Sequence, residues 1–139
     1  MKDSASRNSR KYTLPRSRIL RGRDSIQHLF RNGRVVRERH MDLRYLLFPG
    51  QRGTCLAGFI AGKRLGKAHE RNLIKRRMRE AYRQHQHLVR DIAESEPVGF
   101  HGLFIAKKAG TPYLLIEEEC IRLLAAVQKK MQETAIPSQ

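Results

Sequence analysis

One segment near the middle of the chain, residues 68–93, has the periodicity of a long amphipathic helix. Because each residue of an α-helix turns by about 100°, apolar residues at steps of three and four fall on one side. These residues are Ile74, Met78, Ala81, Leu88 and Ile92. The polar residues that fall on the opposite side are Asn72, Lys75, Arg76, Arg79 and Arg83. The pattern predicts a helix that packs on one side and presents a row of cations on the other.

The charge of the chain is large and concentrated. The 139 residues include 29 Lys and Arg against 13 Asp and Glu, a formal net charge of +16. Residues 1–23 and residues 62–79 each hold eight basic residues and one acidic residue, an excess of seven apiece. A single charge run is most often a solvated surface, but two such runs beside a predicted cationic helix favour a polyanion with regularly spaced phosphates. We therefore expect a nucleic-acid-binding protein with one domain of modest size.

Cysteine usage and hydropathy exclude several other classes. Cys55 and Cys120 lie far apart and have no second ligand at metal-binding spacing, so neither a zinc site nor a disulfide framework is expected. We interpret them as reduced, half-buried thiols of a cytoplasmic protein. No apolar run approaches the roughly 20 residues that span a bilayer, and we expect no membrane contact. The start is rich in Arg and Ser, which leaves a mitochondrial transit peptide as an alternative.

Turn and periodicity signals divide the chain into short elements. Residues 1–18 are basic and rich in Ser, which is typical of a flexible tail. A first helix is expected from a cap at Asp24 to Gly33. Alternating residues predict a strand over 41–48, and the small, apolar residues 55–61 predict another. The Pro49-to-Gly53 turn between them implies a hairpin.

After the long helix, residues 103–106 form a short apolar strand, and Thr111 and Pro112 are expected to begin a last helix. We expect this helix to bury Ile116, Cys120, Leu123, Leu124, Val127 and Met131. The domain should span residues 19–133, with a flexible terminus at 134–139. The order of helices and strands indicates the α+β class.

No arrangement of residues indicates a catalytic site or a small-molecule substrate. Glu117, Glu118 and Glu119 are consecutive, so on a helix they spread over about 200° and cannot all hold one metal ion. We interpret them as solvated charge. His85 falls on the apolar side of the long helix, where a packed, hydrogen-bonded residue is expected, and the other histidines are scattered. We expect no catalytic residue and no metal site in the protein.

Three aromatic residues could stack on unpaired bases, because they belong to the first helix and the adjacent strands. They are Phe30, Tyr45 and Phe59. A sheet can present such rings to single-stranded nucleic acid, but each ring could also belong to the core, and for Tyr45 the two interpretations are about equal. For Phe30 the binding interpretation is slightly favoured, whereas Phe59 fits the core somewhat better.

The stretch from Lys63 to Tyr82, with Arg71-Asn72 followed three residues later by Lys75-Arg76, resembles the signature of the protein subunit of bacterial ribonuclease P. The order and spacing of the remaining elements resemble this family over nearly the whole chain beyond the first dozen residues. One position departs from the family pattern: Leu73 stands where Arg is usual. That RNA contact is therefore absent or supplied by Arg77 or Lys67.

The resemblance implies a fold and a role. The fold is a four-stranded mixed sheet packed with helices in the order α-β-β-(β)-α-β-α, with a left-handed βαβ crossover. The role is that of an RNA-binding cofactor, one protein per RNA, for a catalytic RNA that removes the 5′ leader from precursor tRNA with Mg²⁺ acting through the RNA. It implies RNA contacts by Lys67, Arg71, Asn72, Lys75, Arg76, Arg79 and Arg83. It implies a leader-binding cleft between the first helix and the sheet, for which the candidates are Phe30, Tyr45, Phe59, Lys63 and Arg64.

Two other functions fit the same charge. A ribosomal or other structural RNA-binding protein is also small, basic and tailed, and it would lack a processing role. A protein that compacts DNA or acts in transcription is the third possibility, because composition does not separate RNA from DNA.

Overall fold

A computed structural model of the chain describes residues 13–135 and shows one mixed sheet flanked by helices. Its elements are α1 (Arg23–Asn32), β1 (Arg34–Arg37), β2 (Met41–Pro49), β3 (Cys55–Ile60), α2 (Ala68–His85), α3 (His87–Ser95), β4 (Val98–Ala106) and α4 (Tyr113–Ala135). Short 3₁₀ turns cover Arg16–Arg18 and Lys63–Leu65. The predicted α+β class and four-stranded mixed sheet are confirmed.

The sheet order is β1-β2-β4-β3, so the predicted hairpin between β2 and β3 is wrong. Strand β4 lies between them, antiparallel to β2 and parallel to β3, with Phe104 opposite both Leu43 and Phe59. Strand β4 is buried on both faces over most of its length. Its backbone N–H and C=O groups are therefore shielded from water and need hydrogen-bonding partners on both edges. It is also longer than the predicted strand over 103–106. Because α2 and α3 connect the parallel strands β3 and β4, they form the expected βαβ crossover, whose left hand stays a prediction.

The main core lies between one face of the sheet and helices α2, α3 and α4. Alternation along β2 directs Met41, Leu43 and Tyr45 to this face, because successive strand residues point to opposite sides. The six residues predicted for the buried side of α4 are all buried. The opposite face of the sheet carries a smaller cluster, in which Leu20 and Leu29 pack on Leu103.

The predicted helix over 68–93 is interrupted at Gln86, which separates α2 from α3. Gln86 is only 1% exposed, and its side-chain amide donates to the carbonyl oxygens of Thr13 and Arg83, both at 3.0 Å. The interruption changes which apolar residues face the core. In α3 the fully buried positions are Val89 and Ala93, whereas the predicted Leu88 and Ile92 are only half-buried.

Both ends of the domain differ from the predicted boundaries. The expected tail, residues 1–18, includes residues that belong to the fold: Leu14 packs on the main core, and Arg16–Arg18 form a 3₁₀ turn. Helix α4 continues to Ala135, beyond the expected boundary at residue 133. The predictions for residues 1–12 and 136–139 lie outside the described residues.

Helix α1 begins one residue before the predicted cap at Asp24, after Gly22. It ends at Asn32, and Gly33 stops it as predicted: the Gly33 amide donates to the Leu29 carbonyl at 2.8 Å. Cys55 and Cys120 are free and fully buried rather than half-buried. Burial raises the pKa of both thiols, which disfavours the reactive thiolate. No helix within residues 13–135 is long and apolar enough to cross a membrane.

One of the three consecutive glutamates is not solvated. Glu119 is 3% exposed, and its carboxylate accepts from the His40 backbone amide at 2.9 Å and contacts His40 Nδ1 at 2.5 Å. On the same turn between β1 and β2, Arg122 pairs with Glu38 at 2.9 Å. Helix α4 therefore fixes the turn that orders the edge of the sheet, while Glu118 remains exposed.

We expect Glu119→Gln to lower the free energy of unfolding by about 1.5–3 kcal/mol, because a buried charged hydrogen bond to His40 is lost. Urea unfolding measures the change. The matched control is Glu118→Gln, which alters an exposed neighbour and should change stability by less than about 0.5 kcal/mol. Equal effects of the two substitutions would contradict the assigned role of Glu119.

Candidate nucleic-acid interface

Helix α2 carries the predicted row of polar and cationic side chains on its outer side. Ile74 and Met78 are fully buried, and the opposite side of a helix must then face away from the core. Asn72, Arg76 and Arg79 are exposed there, and Lys75 is half-buried at the flank of the row. The structure therefore brings these four residues onto one surface.

The start of α2 is held by a compact turn. Gly66 has φ +139°, and a Cβ added there would lie 2.5 Å from Glu70 Oε1, so the position requires glycine. The Lys67 amide donates to Glu70 Oε1 at 2.8 Å, and Arg71 Nε donates to the Gly66 carbonyl at 3.1 Å. These bonds fix the backbone from which the exposed side chains of Lys67 and, in the preceding 3₁₀ turn, Lys63 extend.

Besides Arg71, two further arginines of α2 are engaged within the protein. Arg83 donates to both carboxylate oxygens of Glu80, at 2.9 and 2.7 Å; this hydrogen bonding raises the pKa of Arg83 and lowers that of Glu80. Arg77 Nη1 donates to the Thr111 carbonyl at 2.7 Å. Arg83 therefore differs from Arg76 and Arg79 in having a bidentate carboxylate partner.

Leu73 is 38% exposed at the mouth of a cavity of about 290 Å³ between α2 and the loop that precedes α4. Arg77 and Ala109 also line this cavity. Arg77 is tethered to the Thr111 carbonyl, whereas Lys67 is exposed.

Phe59 and Tyr45 do not lie in the expected cleft between α1 and the sheet. Both rings lie on the opposite face of the sheet from α1. Tyr45 is 3% exposed within the main core, and Phe59 stacks on Phe104 with 5.7 Å between ring centroids. Tyr45 lies two residues after Leu43 in β2, and Phe59 lies two residues after Ala57 in β3. Because alternate residues of a strand share a face, both rings face the main core, which α2 and α4 cover. Above Phe59, the Arg79 guanidinium lies 6.0 Å from the ring centroid.

Phe30 is the one candidate ring that the structure places on the α1 face. It is 44% exposed, and the guanidinium of Arg44 lies 5.0 Å from its ring centroid. Arg44 Nη1 also donates to the Phe30 carbonyl at 3.3 Å. Sequence analysis missed Arg44 because the face that α1 covers is decided by packing. The available signal was strand alternation, which places Arg44 and Tyr45 on opposite faces.

Several basic residues follow the carboxyl ends of two neighbouring strands. The strands β3 and β4 are parallel, so their carboxyl ends lie at the same edge of the sheet. Lys63 and Arg64 follow β3, and Lys107 and Lys108 follow β4. Lys107 is engaged with Asp42 Oδ1 and with the Glu38 carbonyl, both at 2.7 Å, while Arg64 and Lys108 are exposed. Sequence analysis had not assigned Lys107 or Lys108 to a site.

The ionisable groups of residues 13–135 do not meet the requirements of a metal site. Within the part of the chain that the structure describes, no three His, Cys, Asp or Glu side chains are close enough together to hold an ion.

His85, expected to be packed and hydrogen-bonded, is half-buried, and its Nε2 contacts Glu117 at 2.8 Å. Burial lowers the pKa of the neighbouring His87.

The chain matches a known protein family over most of its length. The family model described as Ribonuclease P matches residues 14–128, which is most of the chain. The chain belongs to the ribonuclease P protein family. The match includes α1, the whole sheet, α2 and most of α4.

Named relatives agree with this assignment. A ribonuclease P protein component of Chlamydia trachomatis is 39% identical over 72 residues, 51% of this chain and 58% of that protein. The alignment thus spans little more than half the length of that relative. The corresponding protein of Desulfovibrio desulfuricans is 30% identical over 132 residues, covering 88% of this chain and 92% of that protein.

Solved structures of family members share the fold. The RNase P protein of Staphylococcus aureus aligns with a TM-score of 0.63 at 20% identity, covering 79% of this chain and 94% of that chain. The RNase P protein of Thermotoga maritima aligns with a TM-score of 0.62 at 21% identity, covering 78% and 96%. At this level of identity the likeness extends to the arrangement of helices and strands.

The two aromatic residues predicted for one cleft should respond differently to truncation. Phe30→Ala should change the free energy of unfolding by less than about 1 kcal/mol, because Phe30 is 44% exposed and lies outside the main core. Tyr45→Ala should lower it by about 3–5 kcal/mol, because it leaves a cavity in the core. Urea unfolding of both variants tests the assignment, and similar losses would contradict it.

Proposed function

We propose that this protein is the RNA-binding cofactor of a catalytic RNA that removes the 5′ leader from precursor tRNA. The observation that carries the proposal is the row of polar and cationic side chains on the outer side of α2. The residues of this row belong to the stretch that resembles the ribonuclease P protein family. Membership of that family supports a ribonuclease P RNA and a tRNA precursor as partners, with one protein per RNA. We assign bond cleavage and its Mg²⁺ ions to the RNA, as the family resemblance implies.

In this proposal α2 binds the catalytic RNA. Arg76 and Arg79 are exposed on a helix whose other side is packed, so their forks can each bridge two phosphate oxygens. Asn72 adds both a donor and an acceptor beside them. Lys67 and Arg71 continue this surface towards the start of the helix, and Lys75 lies at its flank. Arg83 contributes less, because Glu80 neutralises it.

The leader is proposed to follow the α1 side of the sheet. Phe30 supplies an exposed ring on which an unpaired base can stack, and Arg44 lies against that ring. Lys63, Arg64 and Lys108 are exposed residues that follow the carboxyl ends of β3 and β4, and they are proposed to contact the leader phosphates. Tyr45 and Phe59 have no direct part in this path, because their rings face the main core.

We expect the purified protein alone to leave precursor tRNA uncut, and the protein added to its RNA subunit to permit leader removal at low Mg²⁺. Gel analysis of labelled precursor measures the reaction, with RNA subunit alone as the control. Robust cleavage by the protein without RNA would refute the proposal. Stoichiometric migration with ribosomal particles in high salt would instead favour a ribosomal role.

Neutralising a phosphate-binding cation should flatten the salt dependence of RNA binding. For Arg76→Gln or Arg79→Gln we expect weaker affinity and a loss of roughly 0.7–0.9 in the slope of log K against log salt per lost contact. Filter binding or fluorescence titration of the RNA subunit over a range of KCl concentrations measures both quantities.

The matched control is Arg122→Gln, which removes the same charge from α4, where Arg122 pairs with Glu38. Its slope should stay close to that of the unmodified protein, because net charge far from the contact releases no bound counterions. If Arg122→Gln and Arg76→Gln reduce the slope equally, binding follows total charge and the α2 surface is not the interface.

A further inference from the structure

Arg44 and Phe30 form an ordered pair at the surface of the α1 side of the sheet. The Arg44 guanidinium lies over the Phe30 ring, 5.0 Å from its centroid, and its Nη1 donates to the Phe30 backbone carbonyl at 3.3 Å. The guanidinium is thus held twice by one residue of α1. Its strand position is fixed as well, since Arg44 lies opposite Val35 on one side and Leu103 on the other.

The pair leaves one edge of the guanidinium available. Nη1 is used by the Phe30 carbonyl, and within residues 13–135 the structure shows no hydrogen bond from Arg44 Nε or Nη2. These two nitrogens form a planar fork that suits two acceptors side by side. Because the Phe30 ring is 44% exposed, a base can stack on the uncovered part of the ring with its edge towards that fork.

The surrounding charges do not occupy this fork. The nearest carboxylate along the same face of β2 is Asp42, which is neutralised by Arg37 at 3.2 Å and by Lys107 at 2.7 Å. Among the residues that the structure describes, Arg44 has no carboxylate partner. The site therefore keeps a positive planar donor beside an exposed ring, which is the arrangement that binds a base with two adjacent acceptors.

We propose that Arg44 and Phe30 together recognise a guanine in the single-stranded leader, by stacking on the ring and by hydrogen bonds from Arg44 to O6 and N7. Guanine presents these two acceptors side by side, whereas adenine replaces O6 with a donor amino group and the pyrimidines lack N7. The inference rests on the proposed function and adds a base preference to the leader path.

The test uses the holoenzyme reconstituted from the full chain and its RNA subunit. Precursor tRNAs carry leaders in which each position in turn is guanine, adenine, cytosine, uracil or 7-deazaguanine, and competing cleavage reactions give relative kcat/KM. We expect one leader position to favour guanine by about 5- to 100-fold. At this position 7-deazaguanine, which lacks the N7 acceptor, should lose most of the advantage.

Variants assign the preference to the pair. Arg44→Lys keeps the charge but loses the planar fork, so the guanine preference should fall to within about twofold while cleavage of other leaders continues. Arg31→Lys is the matched control, since Arg31 is exposed on the outer side of α1, and it should keep the preference. Thermal unfolding of both variants confirms that the fold is retained.

Two results would overturn the inference. Equal cleavage of guanine and 7-deazaguanine leaders at every position, or an unchanged preference in Arg44→Lys, would show that Arg44 does not recognise the base. The leader path itself is tested separately by comparing long and short leaders with Phe30→Ala. If leader length matters and depends on Phe30 but base identity does not, only the guanine inference fails; if leader length has no effect, the proposed path fails with it.

Discussion

The burial of one side of α2 against the sheet is the interaction on which the rest of the molecule depends. Ile74, Met78 and Ala81 are each fully buried in the main core, so the helix can neither rotate nor slide without exposing them. The cations on the other side are thereby fixed at the spacing of helical turns. Ordering these groups before binding reduces the entropy lost when a folded RNA is bound. Packing and recognition are thus properties of one helix.

The alternation of β2 divides the sheet into two faces with different roles. Tyr45 and Leu43 face the main core, while Arg44 faces α1. Each face carries an arginine against a ring: Arg79 over Phe59 on one side and Arg44 over Phe30 on the other. A shift of β2 by a single residue would exchange these faces, so the strand register determines which ring is available for a base.

Not every basic residue of this chain is available for binding, because several are engaged within the fold. Arg83 is neutralised by Glu80, Lys107 pairs with Asp42, and Arg77 is held by the Thr111 carbonyl. These cations stabilise turns and helix ends of the fold. The exposed Arg76 and Arg79 differ from them in lacking a carboxylate partner among the residues that the structure describes, although sequence patterns do not distinguish the two groups.

Local periodicity by itself determined the α+β class, the amphipathic helix with its cationic side, and the buried side of α4. These features depend on neighbours three and four residues apart, which the sequence contains directly. Only the tertiary structure decided that β4 lies between β2 and β3, that Gln86 divides the long helix, and that Glu119 is buried against His40. The same holds for Tyr45 in the core and for Arg44 against Phe30. Each depends on which distant segments meet, because burial and partner choice are set by packing across the chain.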